Sequence, residues 1–270
     1  MEHLEGTLAQ VEGRYVVRIE RRLSHQPERV WRALTEPGEL THWFPADISG
    51  AFEPGAPLTF TFREGEAPPS DGEVLAVEPG RLLAFSWQGE VLRWQVHPEV
   101  GGCRLVFTHT FDDGPGAATF ATGWGTCLDA LEGLLAGKPS SSAWSPVVHD
   151  RYVRAFGLDS GTATTDADAW QVRFVRPLTK PVETVWPLLS AGGAGLDGLP
   201  ADQVTASEAP NLLAYRAGEA TVRWELAPGP GGARVTLTVA GPVASVSERQ
   251  KAYEAAHARL DQLAADLRSL

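Results

Sequence analysis

The chain repeats itself. Tyr15–Leu23, YVVRIERRL, returns as Trp170–Leu178, WQVRFVRPL, and Glu28–Trp31, ERVW, returns as Glu183–Trp186, ETVW, both at an offset of 155 residues. Further on, Leu82–Phe85, LLAF, returns as Leu212–Tyr215, LLAY, and Arg93-Trp94 returns as Arg223-Trp224, now at an offset of 130. Gly101-Gly102 and Gly231-Gly232 keep that second offset. Self-similarity at fixed offsets means that one architectural plan is used twice. The fall from 155 to 130 makes the second copy 25 residues shorter. The loss falls between its first helix and its LeuLeuAlaTyr strand, where the first copy carries a short helix and a strand bearing Phe60 and Phe62.

In the first copy, Thr7–Val11 and Arg14–Leu23 flank Glu12-Gly13 and predict a hairpin. Pro27 suits a first helical turn, and Val30, Trp31 and Leu34 give the helix an apolar side. Pro37-Gly38 stops it, and Glu39–Phe44 predicts a second short helix. Four alternating stretches follow, with Leu58/Phe60/Phe62, Leu83/Phe85/Trp87, Leu92/Trp94/Val96 and Leu105/Phe107/His109/Phe111 each sharing a face. Tight Gly turns between them predict an antiparallel meander. Strands grouped together, with helices set apart from them, indicate an α+β fold.

Gly116–Ala136 predicts a long amphipathic helix with Phe120, Trp124, Cys127, Leu128, Leu131, Leu134 and Leu135 on its apolar face. Gly123 and Gly125 flank Trp124, and each costs about 1 kcal/mol inside a helix relative to alanine. Close backbone approach, or space kept open beside the indole, would offset that cost. Residues 138–169 predict a short helix, expected to pack on the first domain, followed by a linker at Gly157–Ala169. The expected domains are therefore 1–137 and a shortened 170–270, packed on one another within the chain.

The net charge of −11 excludes a phosphate-backbone partner and disfavours an anionic membrane surface. No apolar run reaches the ~18 residues that cross a bilayer, the first residues lack the marks of a signal peptide, and only two cysteines occur. Those features predict a reduced, cytoplasmic protein. The Ala/Gly/Arg/Pro-rich composition is of a bacterial kind. Homo-oligomerisation is left open.

The stretches PERVWRALTEPGELTHWFP at 27–45, GEVLAVEPGRLLAFSW at 72–87, GGCRLVFTHTFDD at 101–113 and GWGTCLDAL at 123–131 resemble the AHSA1-like branch of the START/Bet v 1 (SRPBCC) superfamily. Residues 170–270 resemble a degenerate second copy. The resemblance implies a helix-grip fold, duplicated in tandem. In it a curved antiparallel sheet wraps a long C-terminal helix, and an apolar cavity lies between them. Family members bind hydrophobic small molecules, act as cyclases or hydrolases, or stimulate the Hsp90 chaperone.

On that fold the inward sheet face carries Phe60, Phe62, Phe85, Trp87, Trp94, Phe107 and His109 towards Trp124 and Leu128, with Trp43 and Phe44 at the mouth. These eleven residues are the candidate ligand site, an apolar hollow with few polar anchors that would take a small hydrophobic molecule. The alternative is a solid aromatic core, but three tryptophans are hard to close-pack around two glycines. His109 is the candidate catalytic base or polar anchor, or else a buried histidine bonded to its surroundings. The second copy has Val239 in its place, so the fold does not require an imidazole there. No GxSxG, Walker, HExxH or Rossmann pattern occurs, and no cofactor or metal is expected. A binding protein is favoured over an enzyme or a chaperone-interacting protein, and the second copy is expected to hold little or no pocket.

Overall fold

The computed structural model describes residues 4–63, 68–138, 142–191, 195–196, 203–243 and 246–270. It divides into two units, Met1–Ser145 and Pro146–Leu270.

The first unit is built on an eight-stranded antiparallel sheet. Its strands are β1 (Gly6–Val11), β2 (Arg14–Leu23), β3 (Ala46–Ser49), β4 (Pro57–Phe62), β5 (Ser70–Glu78), β6 (Leu82–Trp87), β7 (Glu90–Glu99) and β8 (Gly102–Phe111), in the order β1-β2-β8-β7-β6-β5-β4-β3. Two hairpins turn through residue pairs with positive φ, Glu12-Gly13 and Gln88-Gly89. That geometry matches the twist of the flanking strands and fixes register. Helix α1 (Pro27–Thr35) starts on its proline and buries Val30, Ala33 and Leu34. Helix α2 (Pro37–Leu40) is shorter than the sequence pattern implies. It stops at Leu40, and Trp43 and Phe44 lie on the turn leading into β3, a strand the sequence did not signal. Side chains pin that turn. Trp43 Nε1 donates to the Ala33 carbonyl at 2.8 Å, and Arg63 donates to the carbonyls of Phe44 and Ala46 at 2.8 and 3.2 Å.

Helix α3 (Ala117–Leu135) closes the unit and buries Trp124, Leu128, Leu131 and Leu135. No side chain caps its first turn, and Asp112, just upstream, pairs with Arg14 at 2.7 Å. A Cβ added at Gly123 or Gly125 would meet nothing within 4 Å. Close packing therefore does not explain these glycines.

The second unit opens with α4 (Pro146–Ala155), the helix expected to pack on the first. Its six-stranded sheet comprises β9 (Thr162–Thr165), β10 (Ala169–Leu178), β11 (Gln203–Glu208), β12 (Leu212–Ala217), β13 (Ala220–Gly229) and β14 (Gly232–Pro242), in the order β11-β12-β13-β14-β10-β9. Strand β9 lies within the expected linker and takes the edge position that β1 holds in the first sheet. Helix α5 (Val182–Ser190) and the long α6 (Val246–Arg268) complete the unit.

The ladders of the two sheets correspond pair for pair. Val17 faces His109 as Val172 faces Val239, and Phe85 faces Leu92 as Tyr215 faces Val222. Even the irregularity between Val74 and Ala76 recurs between Val204 and Ala206. Among the described residues the second sheet has no counterpart of β3 and β4.

A buried guanidinium ties α4 to its unit. Arg176 of β10, 1% exposed, reaches Asp150 of α4 at 3.0 Å and Asp261 of α6 at 2.6 Å. Burial works to raise the Asp261 carboxyl, but the Arg176 hydrogen bond and charge hold it below its ordinary value. Beside this cluster His149 is 2% exposed, and burial, reinforced by Arg176 and opposed by Asp150, lowers its pKa to about 4.

Two predictions follow from these environments. Gly123→Ala should raise the urea midpoint, by about 1 kcal/mol of stability, because the new methyl meets no neighbour; a fall would show the space beside α3 to be occupied. As pH drops below the ordinary imidazole value of 6.5, the unfolded chain binds a proton that folded His149 refuses until about 4. Stability present above 6.5 is then lost towards 4, on the order of 2–3 kcal/mol. Urea unfolding at pH 7.5 and 5 reads this, and His149→Gln should flatten the difference.

Candidate functional site

Ten of the eleven residues singled out from the sequence come together inside the first unit. Phe60, Phe85, Trp94, Phe107, His109, Trp124, Leu128, Trp43 and Phe44 are buried, and Trp87 is half-buried. Phe62, at the end of β4, is 39% exposed, although its ring stays 5.5 Å from Trp87. The buried rings pack on one another. Phe44 enters from the pinned turn, and its ring centroid lies 5.7–6.3 Å from those of Phe60, Phe85, Trp87, Trp94 and Trp124. Trp94 in turn lies 5.1 Å from Phe107, and Phe107 lies 4.7 Å from Trp124. The expected gate residue Phe44 is thus the centre of an aromatic cluster joining sheet and helix.

His109 sits at the end of that cluster with both ring nitrogens engaged. Trp124 Nε1 donates to Nδ1 at 3.2 Å, so the ring proton resides on Nε2, which donates to Glu90 Oε2 at 2.7 Å. The rings of Phe111 and Phe120 flank the imidazole, each at 4.9 Å. A general base needs an open lone pair, and here Trp124 holds it. The geometry makes His109 a connector between α3 and Glu90 of β7. The two cysteines are free; burial raises the thiols of both Cys103 and Cys127, Cys127 to about 12, which keeps them protonated and unreactive. Among the described residues no group of His, Cys, Asp and Glu could hold a metal ion.

The second unit treats the same end of its grip differently. At the offset of 130, Trp87 becomes Ala217, Glu90 becomes Ala220, His109 becomes Val239 and Phe111 becomes Gly241. Tyr15, which stacks on Phe111 at 6.2 Å in the first unit, becomes Trp170, paired with Gly241 in the ladder. The indole lies against that glycine so closely that a Cβ there would fall 2.7 Å from it. A cleft of about 640 Å³ lies between the β12–β13 turn and the first half of α6, and of the four replacements Ala217 and Ala220 line it. Trp170, Ala217, Ala220, Pro242, Ala252 and Ala258 line it, with Glu219, Glu248, Lys251 and Glu254 among the lining residues as well. Sequence reading expected little or no pocket in this copy. A partial signal was in the chain: comparing the two copies position by position replaces Trp87 and Glu90 with Ala217 and Ala220, which line the cleft.

The units also differ at one buried polar group. Trp224 hydrogen-bonds the Tyr215 hydroxyl, which burial pushes up to about 12. The matching residues in the first unit are Trp94 and Phe85, and Trp94 Nε1 is buried with no partner. Leaving a buried N–H unpaired costs about 1–3 kcal/mol. Phe85→Tyr should supply the missing acceptor and raise stability by about 1 kcal/mol, measured as a higher urea midpoint. An unchanged midpoint would show that the indole N–H already has a partner.

Several solved structures are similar in fold. A conserved protein of unknown function from Enterococcus faecalis aligns at 17% identity, covering 57% of this chain and 91% of its own, with a TM-score of 0.49. CalU16 from Micromonospora echinospora aligns at 22% identity, covering 57% and 95%, with a TM-score of 0.47. A protein from Mesorhizobium loti aligns at 28% identity, covering 45% and 97%, with a TM-score of 0.41. No curated protein matches the chain. Residues 24–136, within this first unit, match the family profile described as activator of Hsp90 ATPase homolog 1-like protein.

Proposed function

We propose that the protein binds a small apolar or amphipathic molecule, and that the second unit holds it, in the cleft between α6 and the β12–β13 turn. The observation that carries this reading is the paired difference between the units. Where the first carries Trp87 and Glu90, the second has Ala217 and Ala220, and these two alanines line a cleft of about 640 Å³. That volume lies within the range of about 300–1,000 Å³ typical of ligand sites. Its floor is apolar, and charged groups stand among its lining, the arrangement that suits an amphipathic guest. A ligand site in the first unit would need Phe44 to leave five ring contacts, whereas the second unit needs no such movement.

Neutral acridine, a flat three-ring probe, tests the reading by fluorescence titration. Wild-type protein should bind it. Ala258→Phe, at an exposed position on α6, and Ala217→Trp, which restores the ring of the first unit, should each weaken binding more than about tenfold. Affinity unchanged in both folded variants would sink the proposal.

A further inference from the structure

We infer that the ligand of this cleft is a flat aromatic amine or protonated nitrogen heterocycle, held with its cationic nitrogen towards the carboxylates at the cleft. The inference rests on the reading of the cleft given above and deepens it.

The first unit supplies an internal template. There the end of the grip is occupied by the chain itself: the planar His109 imidazole lies among the rings of Phe111, Phe120 and Trp124, and its Nε2 donates to Glu90. The space is thus filled by flat aromatic groups, one of which carries an N–H that meets a carboxylate. In the second unit Trp87 and Glu90 give way to Ala217 and Ala220, both of which line the cleft, and Val239 stands where His109 would be. The carboxylate is displaced rather than lost, because Glu219 is next to Ala220 on the same hairpin and lines the cleft. A free ligand that reproduces what the first unit builds in covalently is planar, aromatic and N–H-bearing.

Charge selects the same class. Three carboxylates, Glu219, Glu248 and Glu254, and one ammonium, Lys251, contribute to the lining, and all four residues are exposed. The balance is two negative charges around an apolar floor that contains an indole. A cation gains from the carboxylates, while an anion of the same shape is repelled. The small lining residues Ala217, Ala220, Ala252 and Ala258 leave room for a broad, flat body.

Three probes on one ring frame separate shape from charge at neutral pH and low salt: 9-aminoacridine as cation, acridine as neutral molecule and acridine-9-carboxylate as anion. The full-length protein should bind the cation more than about tenfold more tightly than the anion, with the neutral probe between them. In the Glu219→Gln/Glu254→Gln double variant that preference should shrink to less than about threefold, while acridine binds as in wild type. Equal binding of cation and anion by the wild type overturns the inference, and so does a preference that survives the double variant. In both of those cases acridine binding leaves the cleft itself standing as the site. Failure of all three probes to bind would instead remove the cleft reading, and this inference with it.

Discussion

A sheet gripping a helix encloses a volume at the end of the grip, and that volume must be filled. Interior space without atoms forfeits dispersion contacts on every side, so folded chains close it with side chains or reserve it for a guest. Among the described residues of the first unit, aromatic side chains occupy it. Phe44, carried in on a turn anchored by Arg63 and Trp43, meets five other rings, and His109, Phe111 and Phe120 complete the filling. The second unit has the same ladder, strand for strand, with four of the large residues reduced to alanine, valine or glycine. The contrast lies in side-chain volume at matched positions on a common backbone plan.

Buried polar groups show the same division. In the first unit Trp124, His109 and Glu90 form a chain in which each donor has an acceptor, while Trp94 Nε1 is left without one. In the second unit Tyr215 satisfies Trp224, and the buried charge moves to Arg176, which joins β10 to α4 and α6 through Asp150 and Asp261. Removing one partner from such a buried pair costs about 3–5 kcal/mol, because the other charge is stranded in a poorly solvated place. This explains why α4 belongs with the second unit: its own polar residue Asp150 meets a guanidinium that water does not reach.

The fold was legible because its signals are local. Period-two alternation placed β6, β7 and β8, the positive-φ pair Gln88-Gly89 set the register of β6 on β7, and the apolar stripe of α3 identified the gripping helix. Strands β3 and β9 escaped because each has only four residues, too few for alternation to stand out. The aromatic residues were correctly assigned to one interior, except Phe62, where a strand end carries an inward parity out to solvent.

The sequence by itself predicted a plan used twice, its α+β order and a shortened second sheet, since repeats, turns and periodicity are properties of neighbouring residues. Only the tertiary structure decided, among the described residues, where the rings of the first unit meet and where a cleft opens in the second. Positions 87, 90, 109 and 111, and their counterparts 217, 220, 239 and 241, lie on three strands and become neighbours only when the ladder forms. Phe44 reaches its site from a turn whose path no periodicity encodes. Enclosed space is a sum over side chains distant in the chain, and that sum exists only in three dimensions.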